Sequence, residues 1–146
     1  MLARKLSAGI LLLILAGCGT PDGTVKVTGT VTQDGTGLSN ALVTFIPVGD
    51  TPGFGGSGAT GPDGKYTLTP SRGGKGIAPG EYKVTISRVL QRDGSPPDPK
   101  KPPIESNARE TLPASYSDRK ATTLQATVSK EALVHDFPLK GATKER

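Results

Sequence analysis

The stretch Ile77-Ala-Pro-Gly-Glu-Tyr-Lys-Val-Thr-Ile86 sets Tyr82, Val84 and Ile86 in strict alternation with Glu81, Lys83, Thr85 and the following Ser87. Side chains of an extended chain point to opposite faces in turn, so this pattern predicts a strand with one face in a core and the other in water. Pro79-Gly80 ahead of it fits the central positions of a type II turn leading into the strand. The same period recurs outward from this segment. Val25, Val27 and Val31 oppose Lys26, Thr28, Thr30 and Thr32. Ala41, Val43 and Phe45 form another run with Leu42 and Ile46 on the other face, as in a strand covered on both sides or packed near a loop. Tyr66 and Leu68 make a shorter strand. Leu124, Ala126 and Val128, then Leu133, His135, Phe137 and Leu139, complete a set of about seven.

Turn chemistry separates these runs. Asp22-Gly23, Asp34-Gly35, Asp63-Gly64 and Asp93-Gly94 each pair a residue that caps a turn with one that accepts positive φ. A calcium loop of the EF-hand kind needs several acidic ligands within about twelve residues, which none of these turns supplies. Residues 49–61 and 93–113 are rich in Gly and Pro, and Pro96, Pro97, Pro99, Pro102 and Pro103 interrupt the second. Neither reads as a helix or an interior strand, so two long, mobile or functional loops are expected. Gly 20 and Pro 13 in 146 residues exclude long helices as the main architecture, and 34% hydrophobic with 4% aromatic residues is a thin supply for one core. A single Cys excludes an internal disulfide, and one Cys with one His excludes a Cys/His zinc site.

The N-terminus reads as an address. Arg4 and Lys5 precede the apolar run from Ile10 to Leu15, and small residues then lead to Cys18. The stretch from Leu6 to Gly17 is too short for a transmembrane helix, which needs about 20 residues, and fits an export signal. Leu15-Ala16-Gly17-Cys18 resembles the bacterial lipobox. That resemblance implies a diacylglyceryl thioether on Cys18, cleavage between Gly17 and Cys18, and acylation of the amine released. Two or three acyl chains anchor durably, whereas one is marginal. Gly19 stands where an Asp would resemble an inner-membrane retention signal, so an outer-membrane address is expected. Residues 1–17 are read as a signal peptide, 18–23 as a lipidated tether, 24–140 as the folded domain and 141–146 as a charged tail. Without Arg4 and Lys5 the 18 basic residues fall to 16 against 13 acidic, a charge of +3. No Lys/Arg stripe interleaves with aromatics, so nucleic acid is not the expected partner.

Four segments in order carry a family likeness: Val27-Thr-Gly-Thr-Val-Thr32, Gly37-Leu-Ser-Asn-Ala-Leu-Val-Thr-Phe45, Thr60-Gly-Pro-Asp-Gly-Lys-Tyr-Thr-Leu68 and the opening stretch. Together they resemble the carboxypeptidase-regulatory-like, transthyretin-like domain. Leu112-Pro-Ala-Ser-Tyr116, Leu124-Gln-Ala-Thr-Val128 and Phe137-Pro-Leu139 are similar to the C-terminal half of small lipoproteins of this class from Planctomycetes-like bacteria. Lys130-Glu131-Ala132 departs from the pattern, since the family has Asn or Gly in that turn. The resemblance implies an all-β sandwich, transthyretin-like or immunoglobulin-like, in an exported setting. It implies neither peptidase activity, because in carboxypeptidases the module is an appendage, nor hormone binding, for which no motif residue matches.

Chemistry-bearing motifs are sparse. Gly53-Phe-Gly-Gly-Ser-Gly58 satisfies G-x-G-x-x-G, but that fingerprint needs a strand before it and a helix after it, and residues 59–64 forbid the helix. Ser57 between glycines approaches a nucleophile elbow without the α/β context, which leaves a triad with His135 only formally available. His135 is in phase with Leu133, Phe137 and Leu139, which predicts a half-buried strand imidazole, while Asp136 points to the other face. The chain is therefore read as non-enzymatic, without catalytic residues, cofactor or metal. Tyr66 and Tyr82 fall at core-facing phases. Phe54 and Tyr116 lie in less regular segments and are the candidate exposed contacts. Lys100 and Lys101, between Pro99 and Pro102, read as a solvated loop or as a contact for anionic lipid or polysaccharide. The expected role is structural or protein-interacting at the cell envelope. A polysaccharide-binding module is the alternative from another class, and an accessory subunit of a hydrolase is a third.

Overall fold

A computed structural model describes residues 23–102 and 105–141. Cys18, with the expected signal and lipidation site, lies outside the described residues. Alternation becomes strand where the sequence supplies it. Strand β1 (Thr28–Gln33) follows buried Val27 and buries Val31, β3 (Leu42–Pro47) buries Val43 and Phe45, and β7 (Gly80–Ser87) buries Tyr82, Val84 and Ile86. The other strands are β2 (Thr36–Gly37), β4 (Gly56–Ala59), β5 (Lys65–Thr67), β6 (Thr69–Pro70), β8 (Val89–Leu90), β9 (Arg109–Glu110), β10 (Gln125–Val128) and β11 (Phe137–Leu139). One helical turn, α1 (Ala114–Ser117), lies between β9 and β10.

In the first sheet β1 pairs in parallel with β11 on one side and antiparallel with β5 and then β2 along the other. The second sheet is antiparallel throughout, in the order β10-β7-β3-β4-β6. Their inner faces meet as an all-β sandwich with one core, centred on Phe45. Its ring lies 5.7 Å from Tyr82, 6.1 Å from Phe137 and 5.8 Å from His135, so one side chain joins β3, β7 and the last strand. Truncating such a residue to Ala costs about 3–5 kcal/mol. Tyr66 and Tyr82 are core residues, as their phase predicts. The Tyr82 hydroxyl donates to the Ala78 carbonyl at 2.6 Å and ties the preceding turn to β7.

Residues 65–70 pass from one sheet to the other. β5 pairs with β1, Leu68 donates its N–H to the Val27 carbonyl, and β6 then pairs with β4. This crossing corrects the reading of residues 49–61 as loop throughout, because Gly56–Ala59 is an interior strand between β3 and β6. The glycines make that possible. A Cβ on Gly56 would lie 2.6 Å from the Thr69 carbonyl oxygen, and one on Gly58 would strike the Thr67 carbonyl, so the crossing segment lies directly on bare backbone. The G-x-G-x-x-G match thus serves close packing between chain segments.

Three further expectations are corrected. Residues 93–113 are not all loop, since Arg109–Glu110 pairs with Val89–Leu90. Pro79-Gly80 is not a type II turn: Gly80 has φ 153°, against about 80° for that turn, and already belongs to β7. Its missing side chain leaves room for Thr51, whose hydroxyl accepts the Glu81 N–H at 2.8 Å and donates to the Glu81 carbonyl at 3.0 Å. The last run is also not one regular strand, because its ladder with β1 breaks at His135 and Asp136. At Lys130-Glu131-Ala132 the Ser129 hydroxyl accepts the N–H groups of Glu131 and Ala132, and closes the turn without Asn or Gly.

Candidate functional site

The sandwich has two poles. At the proximal pole the described chain begins: Val25 bridges Ile77, and residues 48–55 and 71–76 form the loops. At the distal pole lie the Asp34-Gly35 turn, the ends of β3, β4 and β7 at Leu42, Ala59 and Ser87, and the described residues of the long loop, 91–102 and 105–108. From Val25 to Gln33 the first strand run covers about 26 Å at the usual strand rise.

Distally, the loop is built on a carboxylate. Glu110 accepts the Ser87 hydroxyl at 2.5 Å and the N–H groups of Arg88 at 2.9 Å, Leu112 at 2.9 Å and Thr111 at 3.0 Å. Partial burial pushes its pKa up, but these donors outweigh that and hold it below the ordinary value. The Arg88 guanidinium reaches the Ser39 carbonyl at 3.0 Å and braces the same corner. Above it, Asp93 accepts the hydroxyl and N–H of Ser95, which hold its carboxyl below the usual range, and Gln91 donates to the Pro96 carbonyl at 3.2 Å. The start of the proline-rich stretch, residues 91–96, is therefore folded back on its own base. Between it and the sheet end lie two contiguous clefts of about 330 and 430 Å³, which share Val89 and Pro97. Leu42, 47% exposed, and Val89, 38% exposed, supply apolar surface there.

Lys100 and Lys101 stand on this loop, both exposed, with their backbone N–H groups held by Asp98. Lys101 lines the larger cleft. Tyr116, expected to be exposed, is half-buried: it sits in α1, packs against the core, and its hydroxyl accepts the Lys140 N–H at 3.3 Å. Phe54 is 59% exposed at the proximal pole, with the Arg72 guanidinium 3.9 Å over its ring. Phe54 and Tyr116 therefore belong to opposite poles and cannot form one stacking platform. His135 is half-buried against Phe45, with Nε2 3.1 Å from the Ala132 carbonyl.

Sequence reasoning missed Glu110, whose partners Ser87 and Arg88 lie more than twenty residues away. It also missed Arg72, which nothing in the sequence places over Phe54. The distal cleft did leave a signal, since Leu42 is apolar on the outward phase of its strand. Compared with known proteins, the chain matches no family model, no curated protein and no solved structure.

Proposed function

We propose that the chain is a non-enzymatic module of the transthyretin-like class, anchored at the cell envelope through lipid on Cys18, whose distal pole binds an envelope protein. The observation that carries this reading is the pair of joined apolar clefts beside the loop of residues 91–108. Exposed apolar surface with a polar rim favours association with another protein. Here Leu42, Val89 and Pro97 are presented on a base already fixed by Glu110, so little ordering is left for the bound state. The basic start, short apolar run and Leu15-Ala16-Gly17-Cys18 support the anchor. Crosslinking of the affinity-tagged full chain in intact native cells tests the reading. One dominant protein is expected with the wild type and lost from Leu42→Asp and Val89→Asp at unchanged melting temperature. Recovery of the chain alone from wild-type cells overturns it.

A further inference from the structure

We infer that the proximal pole rests on the lipid surface, with the Phe54–Arg72 pair in contact with the phospholipid headgroup layer. This deepens the proposal above and rests on its anchor at Cys18.

The first argument is reach. Six residues from Cys18 to Thr24 span at most about 20 Å when fully extended. The distal pole stands about 26 Å beyond Val25 along β1. The tether is too short to run back along the sandwich, so the pole where it joins is the one held near the bilayer.

The second is how Phe54 is presented. Gly53 and Gly55 flank it with φ 87° and 69°, and a Cβ on Gly55 would strike the Phe45 carbonyl. Ser71 donates its N–H to the Gly55 carbonyl at 3.0 Å. The ring is thus held outward by a fixed backbone.

The third is Arg72. Its guanidinium carbon stands 3.9 Å over the Phe54 ring centre, a contact that uses no N–H donor, and guanidinium donors grip phosphate oxygens in pairs. A phenyl ring beside it suits the boundary between headgroups and acyl chains. The same guanidinium covers one face of the ring and so halves the surface on which a sugar could stack, which favours lipid over polysaccharide as the occupant. Exposed Lys26, Arg72, Lys75 and Lys130 share this pole against Asp50, Glu81 and Glu131, which leaves a single positive charge in excess toward anionic headgroups.

The chain contains no Trp, so one introduced indole reports alone. Full-length Phe54→Trp and Val89→Trp proteins would be purified from the membranes of a bacterial host and reconstituted in phosphatidylethanolamine–phosphatidylglycerol vesicles with or without brominated acyl chains. Mass spectrometry would read the state of Cys18. With lipid attached, Phe54→Trp should lose more than half of its emission to the brominated lipid and Val89→Trp should keep its own, and adding Arg72→Glu should weaken the quenching. Attached lipid with Phe54→Trp unquenched, or with both indoles quenched alike, overturns the inference and leaves the anchor standing. An unmodified Cys18 overturns the anchor and the inference together. Emission that answers to purified envelope polysaccharide but not to brominated lipid reassigns the pair to a glycan.

Discussion

The Asp136 carboxylate accepts the Thr30 backbone N–H at 2.8 Å, in the middle of the parallel pairing between β1 and the last run of the chain. In a regular parallel ladder that N–H would go to the His135 carbonyl, because Thr28 already donates to Leu133 and accepts from His135. The His135 carbonyl instead takes the Tyr66 hydroxyl at 2.7 Å, which crosses β1 over Gly29. One exchange of partners therefore links β5, β1 and the closing strand.

Removing that acceptor should weaken the closure. Asp136→Ala leaves the Thr30 N–H without its partner and should cost about 1 kcal/mol. Asp136→Asn keeps an acceptor oxygen and should cost less. Urea unfolding with an unchanged slope checks both.

Gly29 should tolerate nothing larger. A Cβ there would collide with the His135 carbonyl and lie 2.8 Å from the Tyr66 hydroxyl. Gly29→Ala should destabilise by about 3 kcal/mol, and Tyr66→Phe, which loses only the hydrogen bond, by about 1 kcal/mol. The double variant should cost less than the sum, since both act on one contact. Additive costs would show that the hydroxyl and the glycine act separately.

Alkali should unfold the domain through its buried tyrosines. Burial raises both phenols, and the Asp136 charge adds to the effect at Tyr66. A group whose folded pKa is raised contributes stability that is fully present below its unfolded pKa, near 10.0, and lost as pH rises through the folded value. Unfolding free energy should therefore fall above pH 10.0, with tyrosinate absorbance from Tyr66 and Tyr82 appearing together with loss of structure. Ionisation of both in a chain that remains folded would contradict this.

Glu110 should act in the opposite direction of pH. Its folded pKa is lowered, so its contribution is present above the ordinary carboxyl value of 4.5 and lost as pH falls through the lowered one. Glu110→Gln should cost about 1 kcal/mol near neutrality, after allowance for solvent screening, and should remove that part of the acid dependence. Hydrogen exchange should quicken in residues 91–108 before the rest of the sandwich.

Cys18→Ser should release the chain from membranes, because no thioether can form on a hydroxyl. Fractionation of cells with labelled fatty acid checks it. A serine variant that still carries label and sediments with membranes would defeat the lipid anchor.

Local chemistry made much of the fold legible. Asp34 and Gly35 adopt φ 50° and 85°, the two positive values a tight hairpin between β1 and β2 demands, and that turn was readable from two letters. Alternation likewise placed Tyr82, Val84 and Ile86 inward. Residues 56–59 were not legible, because a strand of Gly, Ser and Ala has no apolar period, and what makes it a strand is the backbone lying across it. The candidate sites were legible only in part. Phe54 stood out as an aromatic among glycines, but Arg72 reaches it from a separate loop. Tyr116 looked exposed because a single helical turn carries no period, whereas its contacts come from the core and from Lys140.

The neighbouring first and last strands run in the same direction, so the chain joins the sandwich at one pole and leaves it at the other, where Gly141 is held by Asp34. A pull between the two ends drags β1 and β11 past each other lengthwise. The rungs from Thr28 to Leu139 then bear the load side by side instead of opening one after another like a zipper. Loaded between its two ends, the domain is by this arrangement a strut held in shear, and the Asp136 carboxylate supplies one of its rungs.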